Sequence, residues 1–176
     1  MKKAITTVVV SLLTVVVIVL IIQYSAPKSA QVGYAAPDFR INTINHEQTV
    51  SLHDYDESFI IVNLWASWCD RCKDNFPLLD DLDDYYDDEQ VKVLAVNVES
   101  LEFNDHGVAE FLQEQHYNLS FLQSNEAFET SYPYLTGVPT TYFIDEDNIV
   151  IDAMSGELNS KAIEKKIEHY FEYKNE

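Results

Sequence analysis

Apolar residues along this chain form runs that change period several times, and those changes predict its elements. The segments Ser58–Leu64 and Val91–Asn97 are nearly continuous apolar runs of strand length, the pattern of strands buried on both faces. Between them Leu79, Leu82 and Tyr86 recur at spacings of three and four, which predicts a helix after Cys69 that Pro77 kinks about two turns in. Upstream, Phe39–Thr43 and Gln48–Leu52 read as a hairpin about the polar turn Ile44–Glu47. Downstream, Val108, Phe111 and Leu112 mark a helix ending near Tyr117; a short strand at Ser120–Gln123 and a short helix at Asn125–Tyr132 follow. Thr140–Ile144 and Ile149–Ala153 flank the turn Asp145–Asn148 as a second hairpin, and Ile163, Ile167, Tyr170 and Phe171 share one face of a last helix. Strands alternating with helices predict an α/β architecture: a mainly parallel sheet covered on both faces, with antiparallel strands from the terminal hairpin.

The N-terminus breaks this pattern. After Lys2 and Lys3, residues Ala4 to Ile22 carry no charge, Gly or Pro. As a helix the run would span roughly 28 Å, about one bilayer core. It exceeds the apolar region of a cleaved signal, and the nearest small-x-small site, Gly33-Tyr34-Ala35, lies well beyond it. An uncleaved signal anchor over residues 1–23 is therefore expected, ahead of a cleaved signal or a core helix. Lys2 and Lys3 favour the cytoplasmic side, which would leave the rest outside, where a disulfide persists. Residues 24–36, punctuated by Pro27 and Gly33, read as a linker, and 37–174 as one globular domain.

With 11 basic residues against 30 acidic ones, the chain carries a formal net charge of −19. Nucleic acid is excluded as a partner, because no basic surface exists to displace counterions from phosphate. Seven of the ten residues from Asp80 to Glu89 are acidic, but without the spacing of a calcium loop, so a solvated helix face is expected there.

Both cysteines lie in one stretch, Trp65-Ala-Ser-Trp-Cys-Asp-Arg-Cys-Lys73, between a buried strand and a helix. Zinc also uses a C-x-x-C spacing, but it needs two more ligands; there is no second cysteine pair, and His46, His53, His106, His116 and His169 are scattered. No metal or other cofactor is expected. A permanent structural bridge is the remaining bland alternative, and closing so short a loop stabilises little. Reversible dithiol-disulfide exchange accounts for the stretch better. At a helix N-terminus, Cys69 would gain thiolate character from unpaired N–H groups and the helix dipole and act as the attacking sulfur. Cys72, one turn further in, would be more buried and would resolve the mixed disulfide. Asp70 and Arg71 would pull that thiolate in opposite directions.

Trp-x-x-Trp-Cys-x-x-Cys-Lys after a buried strand, with Pro77 and then Gly137-Val-Pro-Thr-Thr141 before another strand, resembles the thioredoxin superfamily. The Ala36-Pro-Asp-Phe39 opening, the hairpin, the apolar N-terminus and Ala95-Val-Asn-Val98 resemble its TlpA/ResA branch of membrane-tethered thiol-disulfide oxidoreductases. The likeness runs from about Ala36 to Tyr173. It implies a thioredoxin-like fold: a central mixed sheet with helices on both faces and an N-terminal β-hairpin extension, preceded by one transmembrane helix. It also implies a cis proline at Pro139 facing the cysteine pair, with Val138 free to pair its backbone with an extended substrate and Trp68 beside them. Exported proteins carrying disulfides or thiols would be the substrates, and an integral membrane thiol carrier the electron donor. Two positions depart from the pattern. Asn63 stands where thioredoxins carry a buried aspartate, and Asn75 where ResA-type proteins carry a glutamate near the second cysteine. Asn75 therefore joins Asp70 and Arg71 as a modulating residue, no carboxylate is identified to deprotonate Cys72, and the substrate stays open between apocytochrome c and other exported thiol proteins. Disulfide formation by the same fold, and a non-catalytic peptide-binding domain with a permanent bridge, are the alternatives.

Overall fold

The computed structural model describes residues 2–25, 28–45, 47–55, 59–86, 90–104 and 106–174. Of the expected elements, His46 in the first turn, Ser58 ahead of the first central strand, Asp87–Glu89 at the end of the acidic run and Pro27 in the linker lie outside these. Seven strands form one sheet: β1 (Arg40–Thr43), β2 (Thr49–Ser51), β3 (Phe59–Trp65), β4 (Val91–Asn97), β5 (Ser120–Gln123), β6 (Thr140–Ile144) and β7 (Val150–Ser155), in the order β2-β1-β5-β4-β3-β6-β7. Five helices accompany them: α1 (Lys2–Ser25), α2 (Asp70–Tyr85), α3 (Gly107–Glu114), α4 (Glu126–Ser131) and α5 (Ser160–Lys174).

Every residue of β3 and β4 is buried, as their unbroken apolar runs require. Because side chains alternate across a strand, β3 feeds two cores. Phe59, Ile61 and Trp65 join the layer beneath α2, α3 and α5, while Ile60, Val62 and Leu64 join the layer beneath α4 and residues 30–39.

The sheet is mixed, not mainly parallel. Only β3–β4 and β4–β5 pair parallel; β1–β2, β1–β5, β3–β6 and β6–β7 are antiparallel. Parallel pairs arise only where a helix carries the chain back across the sheet, through α2 and through α3. The N-terminal hairpin instead joins the edge of β5, and β6–β7 joins β3 on the other side.

Pro77 lies inside α2, exposed, and the helix runs on past it to Tyr85. Local differences elsewhere have local causes. Helix α3 stops at Glu114 rather than near Tyr117, because the chain turns extended at Gln115; Tyr117 then packs on Phe76 at 5.8 Å from a non-helical segment. The acidic face of α2 is not wholly solvated. Asp83, whose side chain is only 7% exposed, pairs with Lys92 at 3.1 Å and accepts the Val93 N–H at 2.8 Å, and Asp80 accepts the Asn118 N–H at 2.8 Å.

The expected linker is stitched to the domain from Ala30 onward. Ala30 N–H donates to Ser131 O, Gly33 N–H to Val150 O and Ala36 N–H to Asn148 O, while Tyr34 O accepts from Val150 N–H. In α1 the side chains of residues 7–18 are exposed throughout. Among the described residues no helix is long and apolar enough to cross a membrane.

Candidate active site

Strand β3 ends at Trp65, and Ala66, Ser67 and Trp68 form the turn that delivers Cys69 to the start of α2. Cys69 is the N-cap residue of α2: its backbone is extended, and the Cys72 N–H points at its Sγ at 3.2 Å. One of the orphan donors of the helix start is thereby aimed at sulfur. The two sulfurs form a disulfide, with Cα atoms 5.2 Å apart. Cys69 retains 6% of its surface and Cys72 none, the asymmetry expected of an outer and an inner sulfur. Asp70 and Arg71 are exposed, and Asp70 makes only a loose pair with Lys73 at 3.8 Å, a solvent-screened contact of little energetic weight.

Sheet register brings the second motif to the same place. Leu64, near the end of β3, pairs with Thr140, the first residue of β6. The Gly137-Val138-Pro139 loop that precedes β6 therefore emerges at the end of the sheet where β3 hands over to Cys69. The Val138–Pro139 peptide is cis. Gly137 has φ of +130°, a conformation that glycine adopts without a side-chain penalty. The Thr140 hydroxyl donates to Gly137 O at 2.7 Å, and Pro139 O accepts the Gly156 N–H at 2.8 Å. Val138 packs against the cluster containing both cysteines, and its own backbone forms no hydrogen bond among the described residues. Trp68 is 45% exposed; its Nε1–H donates to Leu101 O at 2.7 Å, and its ring lies 5.5 Å from that of the exposed Phe103.

Asn63 and Asn75 are both buried on the cysteine side of the sheet. Asn63 Nδ2 bonds Thr141 Oγ1 at 2.8 Å, and Asn75 Oδ1 accepts the Leu158 N–H at 2.9 Å. The remaining amide atoms, Asn63 Oδ1 and Asn75 Nδ2, have no partner among the described residues, and neither does Trp65 Nε1.

Glu102 is a residue that sequence reasoning missed. Its carboxylate accepts Ser67 N–H at 2.7 Å, the Ser67 hydroxyl at 2.5 Å and Asn97 Nδ2–H at 2.6 Å, so it fixes the turn that carries Trp68 and Cys69. Gly107 leans on the same turn; a Cβ there would stand 2.5 Å from Ser67 Oγ. A run of Glu-Phe-Asn-Asp gives no periodic signal, and the partner lies 35 residues away. Among the described residues no group of three or more His, Cys, Asp or Glu is arranged to hold a metal ion.

A strand-delivered disulfide at a helix N-terminus beside a cis-proline loop is an arrangement for thiol-disulfide exchange, and the comparisons agree. The chain is similar to the thiol-disulfide oxidoreductase ResA of Oceanobacillus iheyensis, 34% identical over 142 residues that cover 78% of this chain and 71% of that protein. It is similar to the thioredoxin-like protein YneN of Bacillus subtilis at 30% identity over 138 residues, 78% and 79% of the two chains. The crystal structure of the pneumococcal exposed lipoprotein thioredoxin of Streptococcus pneumoniae matches with a TM-score of 0.64 at 25% identity, over 75% of this chain and 98% of that one. The Redoxin family model matches residues 31–169, so the chain belongs to the Redoxin family, within which it is a ResA-type thiol-disulfide oxidoreductase of the thioredoxin fold.

Proposed function

We propose that this protein is a membrane-anchored, extracytoplasmic reductant that exchanges its Cys69–Cys72 pair with disulfides of exported proteins. Cys69 is the attacking sulfur and Cys72 the resolving one. The observation that carries this reading is the asymmetry of the pair: the slightly accessible Cys69 caps α2 and receives the Cys72 N–H, whereas Cys72 is wholly buried. A thiolate at Cys69 is favoured by that donor and by the helix dipole. Attack on a substrate disulfide joins Cys69 Sγ to one substrate sulfur and expels the other as thiolate. Cys72 then attacks Cys69 Sγ, re-forms the internal disulfide and releases the second substrate thiol.

Trp68, Val138 and Pro139 form the substrate-binding surface in this reading. An unpaired backbone at Val138 suits an extended peptide added alongside, and the exposed Trp68 ring supplies apolar contact. Support for the anchor comes from the uncharged run Ala4–Ile22 within α1, and support for an exported location from the likeness to an exposed lipoprotein thioredoxin. Residues 1–23 would be the anchor, 24–36 the connection and 37–174 the catalytic domain. An integral membrane thiol carrier would return electrons to the pair, and apocytochrome c or another exported thiol protein would receive them.

The decisive measurement is the equilibrium of the pair with redox buffers. A potential near about −270 mV supports a reductant, and one near about −120 mV makes the protein a disulfide-forming oxidant. A pair that dithiothreitol cannot open without unfolding the domain would leave only a permanent clip. A Cys72→Ser variant expressed in cells is expected to accumulate mixed disulfides through Cys69, and their absence would overturn substrate exchange.

A further inference from the structure

Beside the disulfide the protein displays aromatic surface that its own packing does not need. Phe103 is 82% exposed and belongs to neither core layer; among the described residues its ring neighbour is Trp68 at 5.5 Å, itself exposed. A lone exposed apolar side chain is ordinary, whereas an aromatic pair held in place next to a reacting sulfur marks a contact surface. The pair is tied down from both sides. Glu102, the residue before Phe103, accepts the Ser67 N–H at 2.7 Å and the Ser67 hydroxyl at 2.5 Å, and the Trp68 Nε1–H reaches Leu101 O at 2.7 Å. The segment after β4 is thereby laced to the turn after β3, so these rings are ordered before a client arrives and docking costs less entropy. Leu101 and Val138 each pack against both core layers, and so mark the end of the sheet where the layers meet at the cysteine pair. Apolar surface flanks the site through Trp68 and Phe103 in one loop, and through Val138 and the exposed Leu135, whose N–H is tied to Thr140 Oγ1 at 3.3 Å, in the other.

The charge around this surface has one sign. From residue 93 to residue 160, which includes every loop that follows β4 and β5 or precedes β6, the sequence has no Lys or Arg. Next to Leu101 opens a cleft of about 670 Å³ lined by Glu99, Ser100, Glu126, Glu129, Pro133 and Tyr134. Glu129 is engaged with the Ser100 N–H and the Ser124 hydroxyl, while Glu99 and Glu126 are exposed. Arg71 and Lys73 belong to the first turn of α2, not to this cleft. Carboxylates gathered on such a rim attract cations and repel acidic chains. We propose that Trp68 and Phe103 form a docking shelf for clients whose disulfide is flanked by an apolar side chain and by a lysine or arginine, the apolar group resting on the shelf and the cation entering the cleft of Glu99 and Glu126. This rests on the redox reading above and deepens it, since it names the class of client: a basic segment with an aromatic or aliphatic residue beside its cysteine.

The test is single-turnover reduction by the full chain in detergent, reduced beforehand and freed of reductant. Its substrates are four peptides, each closed by one disulfide, with Phe or Ala next to a cysteine and Lys or Glu beyond it. Each turnover opens one peptide disulfide to two thiols; the two electrons and two protons come from Cys69 and Cys72, which close to their own disulfide. The Phe peptides are expected to react about tenfold faster than the Ala peptides, the scale of one half-buried aromatic side chain. The Lys peptides should outpace the Glu peptides about threefold, a difference that fades in about 1 M NaCl. Phe103→Ala is expected to lose most of the Phe preference, and Glu99→Gln combined with Glu126→Gln most of the Lys preference. Each preference is a rate ratio within one variant, so a change in the reactivity of the pair itself cancels. A wild type that reduces the four peptides alike, or ratios that the variants leave as they are, would overturn the proposal. So would a concentration-dependent dimer that Phe103→Ala dissolves, since the shelf would then belong to a second copy. A wild type unable to reduce even 2-hydroxyethyl disulfide would instead sink the redox reading itself.

Discussion

The two faces of the sheet are filled on different principles. Beneath α4, Phe39, Phe128, Tyr132 and Tyr142 interlock through ring contacts of 4.9 to 5.9 Å, and both tyrosine hydroxyls donate to backbone carbonyls, Tyr132 to Pro37 O at 2.6 Å and Tyr142 to Pro133 O at 2.5 Å. Beneath α2 the aromatic packing is as dense, with Trp65, Phe76, Phe111 and Phe121 at 5.3 to 5.7 Å, yet Asn63, Trp65 and Asn75 each hold a buried polar atom without a partner among the described residues. A layer that only stabilises has every reason to satisfy its polar groups. The layer that holds the disulfide is built around a reactive pair, and among the described residues its polar groups are less completely paired.

The largest effect expected from breaking this comparison is chemical. Cys69→Ser removes the attacking sulfur and should cut exchange with a disulfide substrate by at least about 10⁴-fold, ~5 kcal/mol of barrier, measured as insulin or peptide disulfide reduction, with the fold retained by circular dichroism. On the other face, Phe128→Ala should cost about 3–5 kcal/mol in urea unfolding while leaving the dithiothreitol equilibrium within twofold; a shifted equilibrium would show the two layers to be coupled. Tyr142→Phe removes the part-buried hydrogen bond to Pro133 O and should cost about 0.5–1.5 kcal/mol, again without redox effect.

Burial holds the Tyr142 hydroxyl up to about 12 and raises that of Tyr132 further, through burial first and the nearby Asp38 charge second. Both folded values lie above the unfolded value of about 10, so the folded state keeps protons that the unfolded state releases. Their contribution to stability is complete below pH ~10 and falls as pH rises from there toward 12; urea midpoints between pH 8 and 11.5 should decline accordingly, and Tyr142→Phe should flatten the decline. The smallest effect belongs to Trp68→Ala, which should leave stability within about 0.5 kcal/mol and raise the KM for a peptide disulfide several-fold with kcat nearly unchanged.

Much of the site was legible in the sequence because its chemistry is local. Two cysteines one helical turn apart, an apolar strand before them and a Gly-x-Pro before another strand are short-range patterns, and the structure assembles them at one end of the β3–β6 pair. Strand direction was less legible, since whether the hairpin of β1 and β2 joins β5 antiparallel is decided by packing across the sheet. Glu102 was invisible because its tie to Ser67 spans 35 residues, and the burial of Asp83 was masked by the acidic residues around it. The half-paired amides of Asn63 and Asn75 were not legible either, since an asparagine in a strand or a helix says nothing of which of its atoms meets a partner.

The stitching of residues 30–36 onto the domain closes part of a sheet edge. β7 is the last strand of the sheet, and at its start Gly33 N–H and Tyr34 O occupy the Val150 backbone while Ala36 N–H takes Asn148 O. That stretch of edge backbone is thereby withheld from strands of other chains.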